Sequence, residues 1–141
     1  MSKDSINFLT RQIRAIETFI EKRLKLTGAY KNLVTIPGIW KILGLTIMLE
    51  TGPVERFEKV ANYTSHCHTR SSKWTSNGNK YLSWAFSEAA PYDEEARAYY
   101  NRKLRKTNFM IAHSALAHKL ARAAYFIMRN QVPFLPEKTF R

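Results

Sequence analysis

Apolar residues recur every third and fourth position along the first part of the chain. Ile6, Leu9, Ile13, Ile16, Ile20 and Leu24 keep that spacing, with Lys, Arg and Glu on the other face. This predicts one helix from about Ser5 to Leu26 with a heptad-like seam. A lone helix cannot bury such a seam, so it needs a partner helix: ordinary bundle packing within the chain, or a dimerising coiled coil with another. Gly28 breaks the helix. Two short apolar helices then flank Ile36-Pro37-Gly38-Ile39, and Glu50-Thr51-Gly52-Pro53 closes the second of them. Val54 to Tyr63 reads as a short helix with Phe57 and Val60 facing inward. Thr64 to Gly78, polar and basic, reads as a surface loop. A polar turn at Ser76-Asn77-Gly78 leads into a helix whose buried stripe is Leu82, Ala85, Phe86 and Ala89, with Asn79 or Asn77 as its cap.

Pro91-Tyr92-Asp93 starts the next helix. Its acidic first turn (Asp93, Glu94, Glu95) and basic end (Arg102, Lys103, Arg105, Lys106) suit the helix dipole. Thr107 or Asn108 caps a last long helix to about Asn130, with a stripe of Ala112, Ala115, Leu116, Leu120, Ala123, Ala124 and Ile127. His113, His118, Lys119, Arg122 and Arg129 lie on its remaining surface, the histidines solvated or capping. Pro133 and Pro136 end the fold in an extended tail. No strand pattern is present. The expected fold is all-α: a helical domain with a helix-hairpin-helix-like segment, preceded by a long coiled-coil-like helix. The expected boundaries are 1–27 for that helix, 28–132 for the domain and 133–141 for the tail.

Charge changes the picture. The 141 residues carry a formal net charge of +12, with 45% hydrophobic residues, enough for a real core. Such a balance points to a polyanion, a nucleic acid or an anionic membrane surface, without implying sequence specificity. The helix at the N-terminus carries Glu17 and Glu21 and a regular seam, which favours a protein partner over a membrane surface. No signal-peptide core is visible, and the longest apolar run, Ile42 to Leu49, is too short to span a bilayer. One cysteine, Cys67, allows no internal disulfide and fits a reducing cytosol.

Three places carry candidate chemistry. Ile36-Pro37-Gly38-Ile39 with Lys41 looks like a helix-hairpin-helix, which offers hairpin amides to a DNA phosphate; the alternative is a Pro-Gly turn between core helices. A second glycine, usual in such hairpins, is replaced here by Trp40. The turn at Ser76 puts a small hydroxyl beside a helix N-terminus, where free amides favour an anion; the alternative is a capped turn before a core helix. Arg70, Lys73 and Lys80 lie close by in sequence. His66-Cys67-His68 does not read as a metal site, because adjacent residues do not easily aim three side chains at one ion and no second Cys/His pair stands at zinc spacing.

Several segments resemble one family in order. Leu33-Val34-Thr35-Ile36-Pro37-Gly38-Ile39, Met48-Leu49-Glu50-Thr51-Gly52 and Arg56-Phe57 are similar to the C-terminal domain of insertion-sequence transposases of the one-ten and eleven-eleven group, relatives of the Piv and MooV DNA invertases. Ser72-Lys73-Trp74-Thr75-Ser76-Asn77-Gly78, Gly78-Asn79-Lys80-Tyr81-Leu82-Ser83-Trp84-Ala85-Phe86, Asn101-Arg102-Lys103 and Ala115-Leu116-Ala117-His118-Lys119-Leu120-Ala121-Arg122-Ala123-Ala124-Tyr125 resemble the same domain. The resemblance implies a DNA-binding domain whose serine, Ser76, attacks a phosphodiester. It implies DNA contacts from Ile36, Gly38, Ile39, Lys41, Arg70, Lys73, Asn77, Gly78, Asn79, Lys80, Arg102 and Lys103. It implies as partners DNA, a structured guide RNA, and a second copy or a full-length transposase bound through the N-terminal helix. It places the protein in a bacterial cytoplasm, at the nucleoid.

The chain departs from that family in three ways. The RuvC-like domain, whose four acidic residues bind divalent metal, is not matched, so Mg²⁺ is expected only with such a domain and no cofactor in this chain. The Lys/Gly-rich stretch between the serine turn and Gly-Asn-Lys-Tyr is absent, the two motifs being fused through Gly78. Several residues before Tyr92-Asp93 are also absent. These departures read as a truncated, decayed or separately translated fragment that does not catalyse by itself. The competing expectation is a non-catalytic basic helical module that binds nucleic acid and dimerises.

Overall fold

The computed structural model describes residues 2–25, 27–69, 78–89 and 93–140, and among them every regular element is helical. The helices are α1 (Lys3–Leu24), α2 (Gly28–Leu33), α3 (Lys41–Thr51), α4 (Val60–His66), α5 (Lys80–Ala89), α6 (Glu94–Leu104), α7 (Phe109–Asn130) and α8 (Pro136–Thr139), with a 3₁₀ turn at Val54–Arg56. The all-α expectation, with its long N-terminal helix, is met.

Local chemistry sets most helix starts. Ser2, Thr27, Asp93 and Asn108 each accept a backbone N–H of the following first turn on a side-chain oxygen. Asn79 does the same for α5, its Oδ1 accepting from the N–H of Tyr81 (2.9 Å) and Leu82 (3.1 Å).

Helix α7 is the axis of the domain, packing against α2, α4, α5, α6 and α8, while α3 joins through α2 and α5. Its buried residues are Ala112, Leu116, Ala117, Leu120, Ala121, Ala124, Tyr125, Ile127 and Met128. The stripe differs from the one expected: Ala115 and Ala123 are only half-buried, and four other residues join it. Ala117, Ala121, Tyr125 and Met128 are covered because neighbours close on more than one side, and the alanines let those helices come close. Leu82, Ala85, Phe86 and Ala89 of α5 are buried as their spacing predicts. Tyr63 is fully enclosed and shares a 3.0 Å hydrogen bond between its Oη and Thr51 Oγ1. Phe57 and Phe86 meet its ring edge-on.

Other expectations change. Val54 to Tyr63 is not one helix: the 3₁₀ turn ends at Arg56, and α4 begins at Val60. Tyr125 Oη and Arg129 both donate to the Phe57 carbonyl at 2.9 Å, so α7 secures the break between the two. Nor is the stretch after Tyr63 all surface loop. Helix α4 runs to His66, and Thr64, Cys67 and Thr69 are buried. The end of the chain is not extended: α8 forms, Phe134 and Phe140 are buried, and the Phe134 N–H donates to Thr35 Oγ1 at 2.8 Å.

Helix α1 has no buried residue. Its far end rests on α3, where Glu21 pairs with both Lys25 and Lys41 at 2.6 Å. These two bonds hold the Glu21 carboxyl below its ordinary pKa, and the same bond raises that of Lys41. Ile6, Leu9, Ile13 and Ile16 stand open to solvent, about half exposed.

Candidate nucleic-acid interface

The hairpin between α2 and α3 turns inward. Ile36, Gly38 and Ile39 are all buried, and the Ile39 N–H donates to the Ile36 carbonyl at 3.0 Å. Gly38 supplies the positive φ, 88°, that this tight turn requires. Three of the residues expected to contact DNA are therefore core anchors, since the turn spends the Ile39 amide on itself. Lys41 is exposed at the start of α3, paired with Glu21.

Ser76, Arg70, Lys73 and Asn77 lie outside the described residues; the chain is described up to Thr69 and again from Gly78. The Asn79 N–H donates to the His66 carbonyl at 2.7 Å and closes the loop 67–78 at its base. Asn79 Nδ2 donates to Glu50 Oε2 at 2.6 Å, tying the exit of the loop to α3. Gly78 lies against the His68 imidazole so closely that a Cβ there would collide with the ring. On the entry side, buried Thr69 donates to the Thr64 carbonyl at 3.2 Å, and its Oγ1 lies 3.4 Å from His118 Nδ1 on α7. His118 thus makes a tertiary contact, where a solvated or capping role was expected. Lys80 is exposed beside this base, its ammonium 5.1 Å from the Tyr81 ring centre.

At the loop base the Arg56 guanidinium and the Glu50 carboxylate both stand near His66. Arg56 Nη2 lies 3.3 Å from His66 Nε2 and 3.5 Å from the Glu50 carbonyl. A guanidinium only donates, so His66 Nε2 accepts and the proton of the neutral ring sits on Nδ1. Burial, then the nearby Arg56 charge, lowers the His66 pKa. Nε2, the one nitrogen of the neutral ring with a lone pair, is thus occupied by Arg56, so His66 anchors the guanidinium rather than standing open as a base. Cys67 differs: it is fully buried, and burial pushes its thiol up to about 12, so it stays protonated and unreactive.

A second cluster of charge lies where α6 and α7 run side by side. The Tyr99 ring has the Lys119 ammonium 5.5 Å, the Lys103 ammonium 5.8 Å and the Arg102 guanidinium 5.9 Å from its centre. Arg102 also donates to the Phe140 carbonyl at 2.9 Å, which orients it. Burial first, then Arg122, Lys103 and Arg102, lowers the Lys119 pKa. Tyr99, Arg102, Lys103, Arg105 and Lys106 line one hollow, and Lys119, Arg122 and Lys138 stand in the wall of the next, neither lined by a carboxylate. Glu95 and Glu137 share a separate hollow with Arg102.

Of the expected contacts, then, Arg102 and Lys103 belong to this face, and Gly78, Asn79 and Lys80 to the loop base. Arg56 and His118 also stand at the loop base and Lys119, Arg122 and Lys138 beside the second cluster, though none was among the expected contacts. The usable signal was the spacing of His118, Lys119 and Arg122 along one helix; what they would face had no local trace. Among the described residues no three His, Cys, Asp or Glu side chains form a group able to hold a metal ion, so nothing described fits the Mg²⁺ that the resemblance assigns to an acidic domain. No described helix is long and apolar enough to cross a membrane. No protein-family model matches the chain, and no curated protein matches it.

Proposed function

We propose that this chain is a helical nucleic-acid-binding domain of the kind found at the C-terminus of insertion-sequence transposases. The observation that carries the binding is the gathering of Arg102, Lys103 and Lys119 around Tyr99, with Arg105, Lys106, Arg122 and Lys138 in the adjoining walls. Three cations around one ring, with further cations lining the hollows on either side, have an obvious counter-charge in a phosphate backbone. Its natural setting is DNA at the nucleoid of a bacterial cytoplasm, with a structured RNA as a further ligand.

Ser76 is the nucleophile in this reading, on the strength of the sequence resemblance. Its Oγ gives up a proton, bonds to the phosphorus of a DNA phosphodiester and displaces one ester oxygen, leaving the strand linked to the protein. His68 and His118 stand near the ends of the loop as candidate proton acceptors, and Arg56, beside His66, is positioned to favour an anion nearby. The metal-binding carboxylates of the family come from an acidic domain, so the described chain is not expected to cut DNA alone.

A second reading, a non-catalytic binding and dimerisation module, draws support from α1. Its seam follows heptad spacing from Ile6 through Leu9, Ile13 and Ile16 to Ile20, with β-branched Ile6, Ile13 and Ile20 at equivalent positions, and a second copy of α1 is the occupant proposed for it.

Salt titration of duplex binding tests the shared core. With about five phosphates neutralised, the slope of log K against log salt is about −4 to −5; a slope near zero overturns it. Incubation with supercoiled DNA, Mg²⁺, a separate RuvC-like domain and its RNA tests the chemistry. Covalent attachment that is lost in Ser76→Ala supports the nucleophile; attachment that persists refutes it, and nicking by the chain alone refutes the need for a partner.

A further inference from the structure

The hollow between α7 and the C-terminal segment has a composition that duplex binding does not explain. Its volume is about 390 Å³, within the roughly 300–1,000 Å³ of small-ligand sites. Phe126, Val132, Phe134 and Leu135 give it an apolar lining, and Lys119, Arg122 and Lys138 supply positive charge. Phe126 is 42% exposed, Val132 43% and Leu135 48%. These are large apolar surfaces left open beside cations, Phe126 on α7 and Val132 and Leu135 on the segment that follows it.

We infer that this hollow receives an unpaired base of a single-stranded nucleic acid, with the flanking phosphates on Lys119, Arg122 and Lys138. The inference rests on the nucleic-acid reading above and sharpens it. A base paired and stacked in a duplex hides its flat faces, whereas an unpaired base brings a π-face to an aromatic side chain and a phosphate to a cation. Phe126 is the exposed ring able to take that face. A free inorganic anion would leave the apolar lining unused, and a neutral apolar ligand would leave the cations unused. An anionic lipid would satisfy both, but only one headgroup at a time. The charge here continues: Lys119 lies over Tyr99 together with Lys103, and from there the cations run on through Arg105 and Lys106 into a second hollow of about 400 Å³. A row of cations suits the repeated charge of a strand.

The test uses the full chain with a short single strand carrying 2-aminopurine, the same sequence as a hairpin duplex, inorganic polyphosphate, and vesicles containing phosphatidylserine. Wild-type protein should quench the 2-aminopurine on binding. Phe126→Ala should weaken single-strand binding about tenfold, abolish the quenching and change duplex binding less than twofold. Val132→Asp, which sets a carboxylate at an exposed position of the wall, provides a second variant and should also weaken the single strand more than the duplex. Equal losses for strand and duplex in both variants overturn the inference while the nucleic-acid reading stands, as does vesicle binding that depends on Phe126. Polyphosphate binding that is as strong as strand binding and as sensitive to Phe126→Ala also overturns it. Failure of both strand and duplex to bind overturns the nucleic-acid reading, and this inference with it.

Discussion

Asn79 carries three jobs at once, and replacing it should cost far more than a half-buried polar residue usually does. Its Oδ1 caps α5, its Nδ2 donates to the Glu50 carboxylate at 2.6 Å, and its N–H closes the loop 67–78 on His66. Asn79→Ala keeps the backbone bond and removes the other two functions. Loss of an N-cap costs about 0.5–2 kcal/mol. Loss of a hydrogen bond to a charged partner costs about 1.5–3 kcal/mol, toward the low end where water can reach the site. The expected destabilisation is about 2–4 kcal/mol, a large part of the roughly 5–15 kcal/mol that holds a domain together. In urea, with a slope of about 2 kcal/mol per molar, the midpoint should fall by about 1–2 M. Asn79→Asp separates the two functions. It preserves the cap but opposes the Glu50 carboxylate with another, so it too should be destabilised. Adding Glu50→Gln then restores a donor–acceptor pair with the donor on the opposite side, and the double variant should return close to wild type. This coupling is the diagnostic quantity. A change under about 0.5 kcal/mol in Asn79→Ala, or no rescue of Asn79→Asp by Glu50→Gln, would refute the reasoning and detach the loop base from α3.

Sedimentation should show self-association through α1, and Ile13→Lys with Ile20→Lys should give monomers, because charge in an apolar seam is not tolerated; a wild-type monomer refutes it. Cys67 should resist iodoacetamide at pH 8 in the folded protein and react only as fast as the protein unfolds. Its raised folded pKa contributes stability that is complete below the ordinary value of 9.0 and is lost as pH rises toward about 12; rapid native labelling refutes the burial. His66 has the opposite linkage. Its lowered folded pKa means that the unfolded chain binds more protons as pH falls through about 6.5, so stability declines there, and His66→Gln should flatten that part of the pH–stability curve. An unchanged curve would show that His66 does not carry the effect.

Local chemistry made much of the fold legible in the sequence. Asn79, Asp93 and Asn108 cap the helices that follow them because a cap needs only an oxygen and amides two or three residues ahead. Leu82, Ala85, Phe86 and Ala89 are buried because a helix places such a spacing on one face. The resemblance to a transposase domain and its candidate serine rest on the order of residues alone. Tertiary structure decided the rest, through contacts between residues far apart in the chain. Thr35 meets Phe134 across 99 positions and brings the C-terminal segment into the core. Thr69 meets His118 across 49, and Arg102 meets Phe140 across 38. Ile36, Gly38 and Ile39 looked equally suited to a phosphate cradle or a core turn, and only the helices around them buried them. The same holds for the cations: Arg102, Lys103 and Lys119 form one face because α6 lies along α7. Caps and periodicity act within about one helical turn, whereas which second face is buried and which charges meet depend on the neighbour that packing supplies.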